Sequence, residues 1–261
     1  MVHLIIVSIL IFLISVIFSI FGKGGGELYL PVMISLLPIA IHEAAGVSLF
    51  IIFIQSLSMV AIYHHKHRLI DWGPAIIMAL IVGIFAFAGG YFASVISPIV
   101  LKILFAILLI LSSFFLFVNK KKVVKEGIFT WKRKIGDFEY DWHLLYTLIP
   151  LGIIALLAGM VGISGGGLIV PLCVLLGGMP LRVAMGTNTF LVLISSSTGF
   201  LGHFAKAGIN WQIALILGTM VLVGSQIGSR LHIGIKEKHL RIGLSLIEFL
   251  AAGWMIIKIF I

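Results

Sequence analysis

Eight long apolar runs, at 2–21, 47–63, 74–96, 99–118, 144–161, 183–204, 213–227 and 240–261, leave this chain almost no choice of environment. About 20 apolar residues wound as a helix cross the roughly 30 Å hydrocarbon core of a bilayer, and most of the runs approach that length. Charged residues make up only 10% of the sequence and hydrophobic ones 61%, whereas a soluble domain holds about a quarter charged residues. The runs therefore predict membrane-spanning helices and exclude an ordinary water-soluble fold. Cys173 is the sole cysteine, which rules out an intrachain disulfide and an intramembrane dithiol relay.

The net charge of +9 is concentrated between the apolar runs, most densely at Lys120, Lys121, Lys122, Lys125, Lys132, Arg133 and Lys134. Basic residues so placed read as the cytoplasmic loops of a membrane protein, held near anionic headgroups, and not as a nucleic-acid surface.

The chain repeats itself. Gly22-Lys23-Gly24-Gly25-Gly26-Glu27-Leu28-Tyr29-Leu30-Pro31 lies over Gly162-Ile163-Ser164-Gly165-Gly166-Gly167-Leu168-Ile169-Val170-Pro171 at an offset of 140. Gly22, Gly25, Gly26, Leu28 and Pro31 meet identical residues, and Ala44, Gly46 and Phe50 meet Ala184, Gly186 and Phe190. With one residue of slippage, Trp72 meets Trp211, Gly89 meets Gly228 and Lys102 meets Arg241. The sequence thus predicts an all-α polytopic membrane protein of two homologous halves with eight to ten hydrophobic segments. Residues 1–118 form the first transmembrane repeat, 119–142 a basic cytoplasmic linker and 143–261 the second repeat.

In each half a short apolar stretch, 28–41 or 168–176, follows the glycine cluster. Such a stretch is too short to cross alone as a helix, and irregular backbone at membrane depth survives only when buried in protein or lining a cavity. Short broken or re-entrant segments at matching positions of two repeats point to a transporter's binding site. If each counts as a crossing, there are five per half and the halves are inverted. Lys23, Lys66, Arg68, the linker lysines, Arg182, Arg230, Lys236 and Lys238 then share the cytoplasmic side, and Lys206 and Lys258 lie outside. Four crossings per half would make parallel repeats and put Arg230, Lys236 and Lys238 outside, against the positive-inside rule. Inverted repeats are preferred.

The doubled Gly-x-Gly-Gly-Gly-x-x-x-x-Pro pattern, fullest at Gly22–Pro31, resembles the TauE/SafE sulfite-exporter family of membrane transporters. Ala184-Met185-Gly186-Thr187-Asn188 is similar to that family's small-residue turn before the next helix. The resemblance covers nearly the whole chain. It implies a multi-pass transporter of the cytoplasmic membrane carrying a small anion such as sulfite, an organosulfonate or another organic anion. Glu27 departs from that expectation, standing where the second half has Gly167.

Helices starting in these clusters would present free N–H groups and a positive dipole end to an anion, with glycine allowing close approach. The substrate-binding candidates are therefore Gly24, Gly25, Gly26, Ser164, Gly165, Gly166 and Gly167. Ser48, Thr187 and Asn188 join them at the expected start of the following helix, where they can cap it or donate to a substrate oxygen. Glu27 is the candidate for proton coupling or for neutralising Lys23, and Gln55, Ser195, Ser196 and Ser197 read first as helix–helix hydrogen-bonding positions. Nothing in the sequence calls for a cofactor or a metal: Gly46 stands where a His42-Glu43 zinc motif needs its second histidine, and 64–68 reads as a solvated loop. Two other readings stay open. Gly162-Ile163-Ser164-Gly165 matches the Gly-x-Ser-Gly pattern of rhomboid intramembrane serine proteases, with His203 or His232 as base, although the repeat accounts for the glycines without catalysis. A channel or a cation transporter would make use of Glu27 and the histidines.

Overall fold

The computed structural model describes residues 2–117 and 129–231, together with 242–243, 245–246, 249–250, 252–254 and 256–257. The first half runs α1 (Val2–Ile20), α2 (Gly26–Leu36), α3 (Ile41–Ile62), α4 (Trp72–Phe92) and α5 (Pro98–Phe117). A hairpin of β1 (Thr130–Ile135) and β2 (Phe138–His143) follows. The second half has α6 (Leu144–Val161), α7 (Gly166–Leu175), α8 (Leu181–Ala207) and α9 (Trp211–Leu231). Moving α1 to α4 along the chain by 139–140 residues reproduces α6 to α9 almost boundary for boundary. Five of the described helices, α1, α3, α4, α6 and α9, are long and apolar enough to cross a membrane by length and composition. The protein is a helical, multi-span membrane protein.

The halves are interleaved. α1 packs on α9 and α6 on α4, while α3 and α8 lie against each other at the centre. Each of these contacts has its counterpart in the other half, and small residues make the approach possible. A Cβ on Gly228 would run into the Val16 carbonyl oxygen, and one on Gly89 into the Leu156 carbonyl oxygen. These are the same position of the repeat used twice. Without a hydrophobic drive between helices in lipid, close van der Waals packing of this kind holds spans together.

α3 and α8 begin earlier than the apolar runs suggest. Ala40 and Pro180 precede their first turns, so Ser48, Thr187 and Asn188 lie inside helices and cap neither one. The stretch Ala184–Asn188 is likewise helix and not a turn. Its glycine serves packing: a Cβ on Gly186 would lie 2.5 Å from the Leu69 carbonyl oxygen, and one on Gly46 would lie 2.9 Å from Ile209. Leu69 and Ile209 are themselves 140 residues apart.

The expected linker also contains structure. Thr130–Ile135 pairs antiparallel with Phe138–His143 around Gly136, whose φ is +53°. Lys120, Lys121, Lys122, Lys125, His232, Lys236, Lys238 and Lys258 lie outside the described residues.

Candidate functional site

α1 ends beside the end of α3, where the Tyr63 hydroxyl donates between the carbonyls of Ser19 and Ile20 at 3.1 and 2.8 Å. The chain then turns at Gly22, in the left-handed region with φ +65°, because a Cβ there would lie 2.5 Å from the Met185 carbonyl oxygen in the second turn of α8. It runs back in irregular backbone to the middle of α3, where α2 starts. The second half repeats the move. Gly162 (φ +87°) turns against Ala45, in the second turn of α3, and α7 starts beside the middle of α8. Helices α2 and α7, 11 and 10 residues long, rise about 15–16 Å, half of the hydrocarbon core.

The irregular segments are tied down by side chains from the long helices, as backbone at this depth requires. In the first half the hub is Gln55 of α3. Its Oε1 accepts from the Tyr29 hydroxyl at 2.8 Å and from the Gly25 N–H at 3.5 Å, and its Nε2 donates to Ser19 Oγ at 2.9 Å and to the Lys23 carbonyl at 3.3 Å. Ser195 of α8 holds the second turn, donating to the Ser164 carbonyl at 2.9 Å. Asn188 crosses between the halves and donates from Nδ2 to the Gly22 carbonyl at 2.9 Å. Sequence reading left Gln55 a generic interhelical residue. Its partners are backbone groups that turn chemistry alone could not place.

The two glycine turns meet. A Cβ on Gly24 would lie 3.0 Å from Ser164 Oγ, one on Gly26 3.2 Å from Ile163, and one on Gly166 2.9 Å from Asn188 Nδ2. The structure therefore brings Gly24, Gly26, Ser164, Gly166 and Asn188 together, with Gly25 and Gly165 as the residues before each half-helix. Thr187 is turned to other work, accepting from the Asp71 N–H at 3.0 Å. Ser48 Oγ, Ser164 Oγ and Asn188 Oδ1 are buried without a hydrogen-bond partner. Buried polar atoms are normally satisfied, so three orphans beside two helix N-termini mark a place equipped for a polar guest.

Glu27 and Lys23 form a buried ion pair at 3.2 Å, with side chains 1% and 0% exposed. The pair sits against the other half: a Cβ on Gly167 would lie 3.0 Å from both Glu27 Oε1 and Lys23 Nζ, and 2.7 Å from Ser112 Oγ. This accounts for the asymmetry of the repeat. Positions 27 and 167 are equivalent and adjacent, and the pair fits because Gly167 has no side chain. A void of only about 10 Å³ remains there, bordered by Glu27, Ser112, Gly165 and Gly167, so the site is closed to both faces. The largest cavity, about 750 Å³, is apolar and lies by the hairpin and α6.

The remaining candidates have other partners. His203 Nε2 meets the Gly159 carbonyl at 2.9 Å, so its ring is committed to α6 and not to Ser164. His67 Nε2 meets the Ser229 carbonyl at 2.7 Å, and His64 Nδ1 accepts from Trp72 Nε1 at 3.2 Å. The stretch Tyr63–His67 continues α3 as a π-turn and is not a loop. Among the described residues no three side chains cluster to hold a metal ion.

One polar cluster went unread in the sequence. Asp71, fully buried ahead of α4, accepts from Arg133 Nε at 3.1 Å and Nη2 at 2.5 Å, from the Tyr140 hydroxyl at 2.7 Å and from the Gly73 N–H at 3.3 Å. The carboxylate raises the pKa of Arg133, while burial and the bond to Asp71 raise that of Tyr140. The hairpin is thereby fastened to the first half, and the His143 N–H, donating to the Gly177 carbonyl at 3.4 Å, fastens it to the second.

A duplicated bundle of spans with two broken half-helices meeting at mid-depth defines a class of polytopic membrane proteins, not one function. The sequence profile of the Sulfite exporter TauE/SafE family matches residues 7–255. The chain belongs to this family of membrane transporters. It is similar to the probable membrane transporter protein YunE of Bacillus subtilis, 27% identical over 227 residues that cover 82% of this chain and 83% of the relative. It is also similar to the probable membrane transporter protein MJ0441 of Methanocaldococcus jannaschii, 29% identical over 90% of this chain and 88% of the relative. The Sulfite exporter TauE/SafE family protein 5 of Arabidopsis thaliana is 29% identical over 94 residues, 34% of this chain and 21% of the relative. No solved structure matches the chain.

Proposed function

We propose that the protein is a secondary carrier of the cytoplasmic membrane that moves a small sulfur-containing or organic anion by alternating access, with its two halves as inverted repeats. The inversion is supported by where the turns lie. α1 ends beside the end of α3 and the start of α8, and α6 ends beside the end of α8 and the start of α3. The two half-helices then enter the bilayer's middle from opposite faces, and rocking one repeat against the other opens the site to each side in turn.

The observation that carries the reading is the meeting of two glycine-led helix N-termini at mid-depth beside the unpartnered hydroxyls of Ser48 and Ser164. First-turn N–H groups have no acceptor within their helix, and an oxyanion supplies one. Glycine at 24, 26 and 166 leaves the space that side chains would fill.

A thermal-shift screen of the purified protein against sulfite, sulfate, thiosulfate, sulfoacetate, taurine and small carboxylates tests this. Stabilisation by at least one anion, lost on Gly166→Val, is expected. Stabilisation by a divalent cation and by no anion overturns the reading.

A further inference from the structure

Lys23 is a fully buried cation at membrane depth, and its carboxylate partner occupies the position an incoming anion would take. Glu27 Oε1 is 3.2 Å from Lys23 Nζ and borders Gly167 in the first turn of α7. The carboxylate is thus held at the N-terminal ends of α2, to which it belongs, and of α7. Its second oxygen, Oε2, is buried and has no hydrogen-bond partner, and the small void it borders holds no more than about one water.

We propose that Glu27 is a tethered stand-in for the substrate, and that one proton added to Glu27 Oε2 releases Lys23 to bind one monovalent anion. This rests on the anion-carrier reading above and names the charge class and coupling at that site. Charge balance decides the stoichiometry. With Lys23 cationic and Glu27 ionised, the closed site is neutral. An anion entering alone would leave a net negative charge in a low-dielectric interior, where uncompensated charge is expensive. An anion entering with one proton leaves Lys23⁺, a neutral Glu27 acid and the monovalent anion, neutral again. The only bond made is O–H at Oε2, and it breaks when the proton and anion leave to water on the far side. A divalent anion would need a second proton acceptor. The groups facing Glu27 do not supply one among the described residues: α2 adds the Tyr29 phenol, α5 adds Leu108, Leu109 and Ser112, and α7 adds Gly165 and Gly167. The sequence agrees, since the equivalent of Glu27 in the second half is Gly167.

Detergent-solubilised wild-type protein in weak buffer is mixed with methanesulfonate, which carries no proton of its own between about pH 6 and pH 9, and proton uptake is read with a pH dye. Sulfite and thiosulfate are run beside it against protein-free blanks. About one proton taken up per anion bound is expected, with apparent Kd rising about tenfold per pH unit where Glu27 is ionised. Glu27→Gln should bind the same anions with no proton uptake and no pH dependence. Because it leaves Lys23 uncompensated, its Tm should fall and be restored selectively by monovalent anions, while Lys23→Met/Glu27→Gln folds without that rescue. Anion binding with no proton uptake and a pH-independent Kd, or proton uptake that survives in Glu27→Gln, overturns the proposal and leaves the anion site standing. If none of these anions nor those of the thermal screen binds the wild type, the anion site itself is overturned.

Discussion

His203 occupies in the second half the seat that Tyr63 holds in the first. The Tyr63 hydroxyl reaches the Ser19 carbonyl and His203 Nε2 the Gly159 carbonyl, and both donor and acceptor have moved by 140 residues. Two chemically different side chains thus do one thing, pinning the last turn of the helix that precedes each glycine turn. His203→Tyr should therefore keep the protein's Tm close to wild type. His203→Ala, which leaves the Gly159 carbonyl buried without its donor, should destabilise by about 1–3 kcal/mol. The comparison is made by thermal unfolding in detergent, and equal losses from both variants would show that the seat is not shared.

The packing of α1 on α9 and of α6 on α4 makes a paired prediction. Gly228→Val and Gly89→Val each push a side chain into a carbonyl of the neighbouring span, at Val16 and at Leu156. Both should cost about 1–3 kcal/mol or more, because neither contact has a flexible side-chain end to move aside. Gly208→Ala would meet open space but requires a φ of +67°, so it should cost about 1 kcal/mol through backbone strain alone. Tm in detergent, with size-exclusion profile as a check on folding, orders the three. A Gly228→Val protein as stable as wild type would contradict the helix contact described here.

These two cases show what was legible in the sequence. The duplication could be read because glycine and proline are constrained by backbone geometry and so recur where the backbone recurs. The start of α3 and α8 could not, because Gly46 and Gly186 look like turn residues and are in fact helix-contact residues whose neighbours, Ile209 and Leu69, come from elsewhere in the chain. In the linker, charge outweighed periodicity. Phe138, Tyr140 and Trp142 alternate with Glu139 and Asp141 after Gly136-Asp137, a strand pattern with a turn signal. Lys132, Arg133 and Lys134 drew the reading toward a solvated cytoplasmic segment. The Asp71 cluster was invisible for the usual reason: its members are 62 and 69 residues away along the chain.

Asp71 is the buried acceptor on which the hairpin depends, so Asp71→Ala should loosen 129–143 without unfolding the spans. Arg133 is 22% exposed and regains water when its partner goes, which limits the loss. Tyr140 is buried and its hydroxyl is left unsatisfied, a loss of about 1–3 kcal/mol. Limited proteolysis should cut Asp71→Ala within 129–143 faster than wild type, while Tm changes less. Unchanged cleavage would mean that the hairpin is held chiefly by its aromatic residues.

The same cluster predicts a response to alkali. Burial and the bond to Asp71 raise the Tyr140 pKa above its ordinary value. A group whose folded pKa is raised gives its full stabilisation below the unfolded pKa, about 10 for tyrosine, and loses it as pH climbs from there toward the folded value. Hairpin protection measured by hydrogen exchange or proteolysis should hold from neutral pH to about pH 10 and weaken above it. Tyr140→Phe should be looser at neutral pH and show no further weakening from this source.

Ser164 separates stability from binding. Its hydroxyl is 1% exposed and has no partner, while its carbonyl is held by Ser195. Ser164→Ala removes an unsatisfied buried group and leaves the backbone bond in place, so the anion-free protein should be as stable as wild type or slightly more so. If the hydroxyl donates to the bound anion, the stabilisation by that anion should shrink in the same variant. One lost hydrogen bond to a charged group is worth about 1.5–3 kcal/mol, or about ten- to hundred-fold in Kd. Asn188→Ala should behave differently, since Nδ2 holds the Gly22 carbonyl: it should lower Tm even without anion. Paired thermal-shift titrations of the two variants read both effects. An unchanged anion shift in Ser164→Ala would remove Ser164 from the substrate site and leave it a residue of the turn.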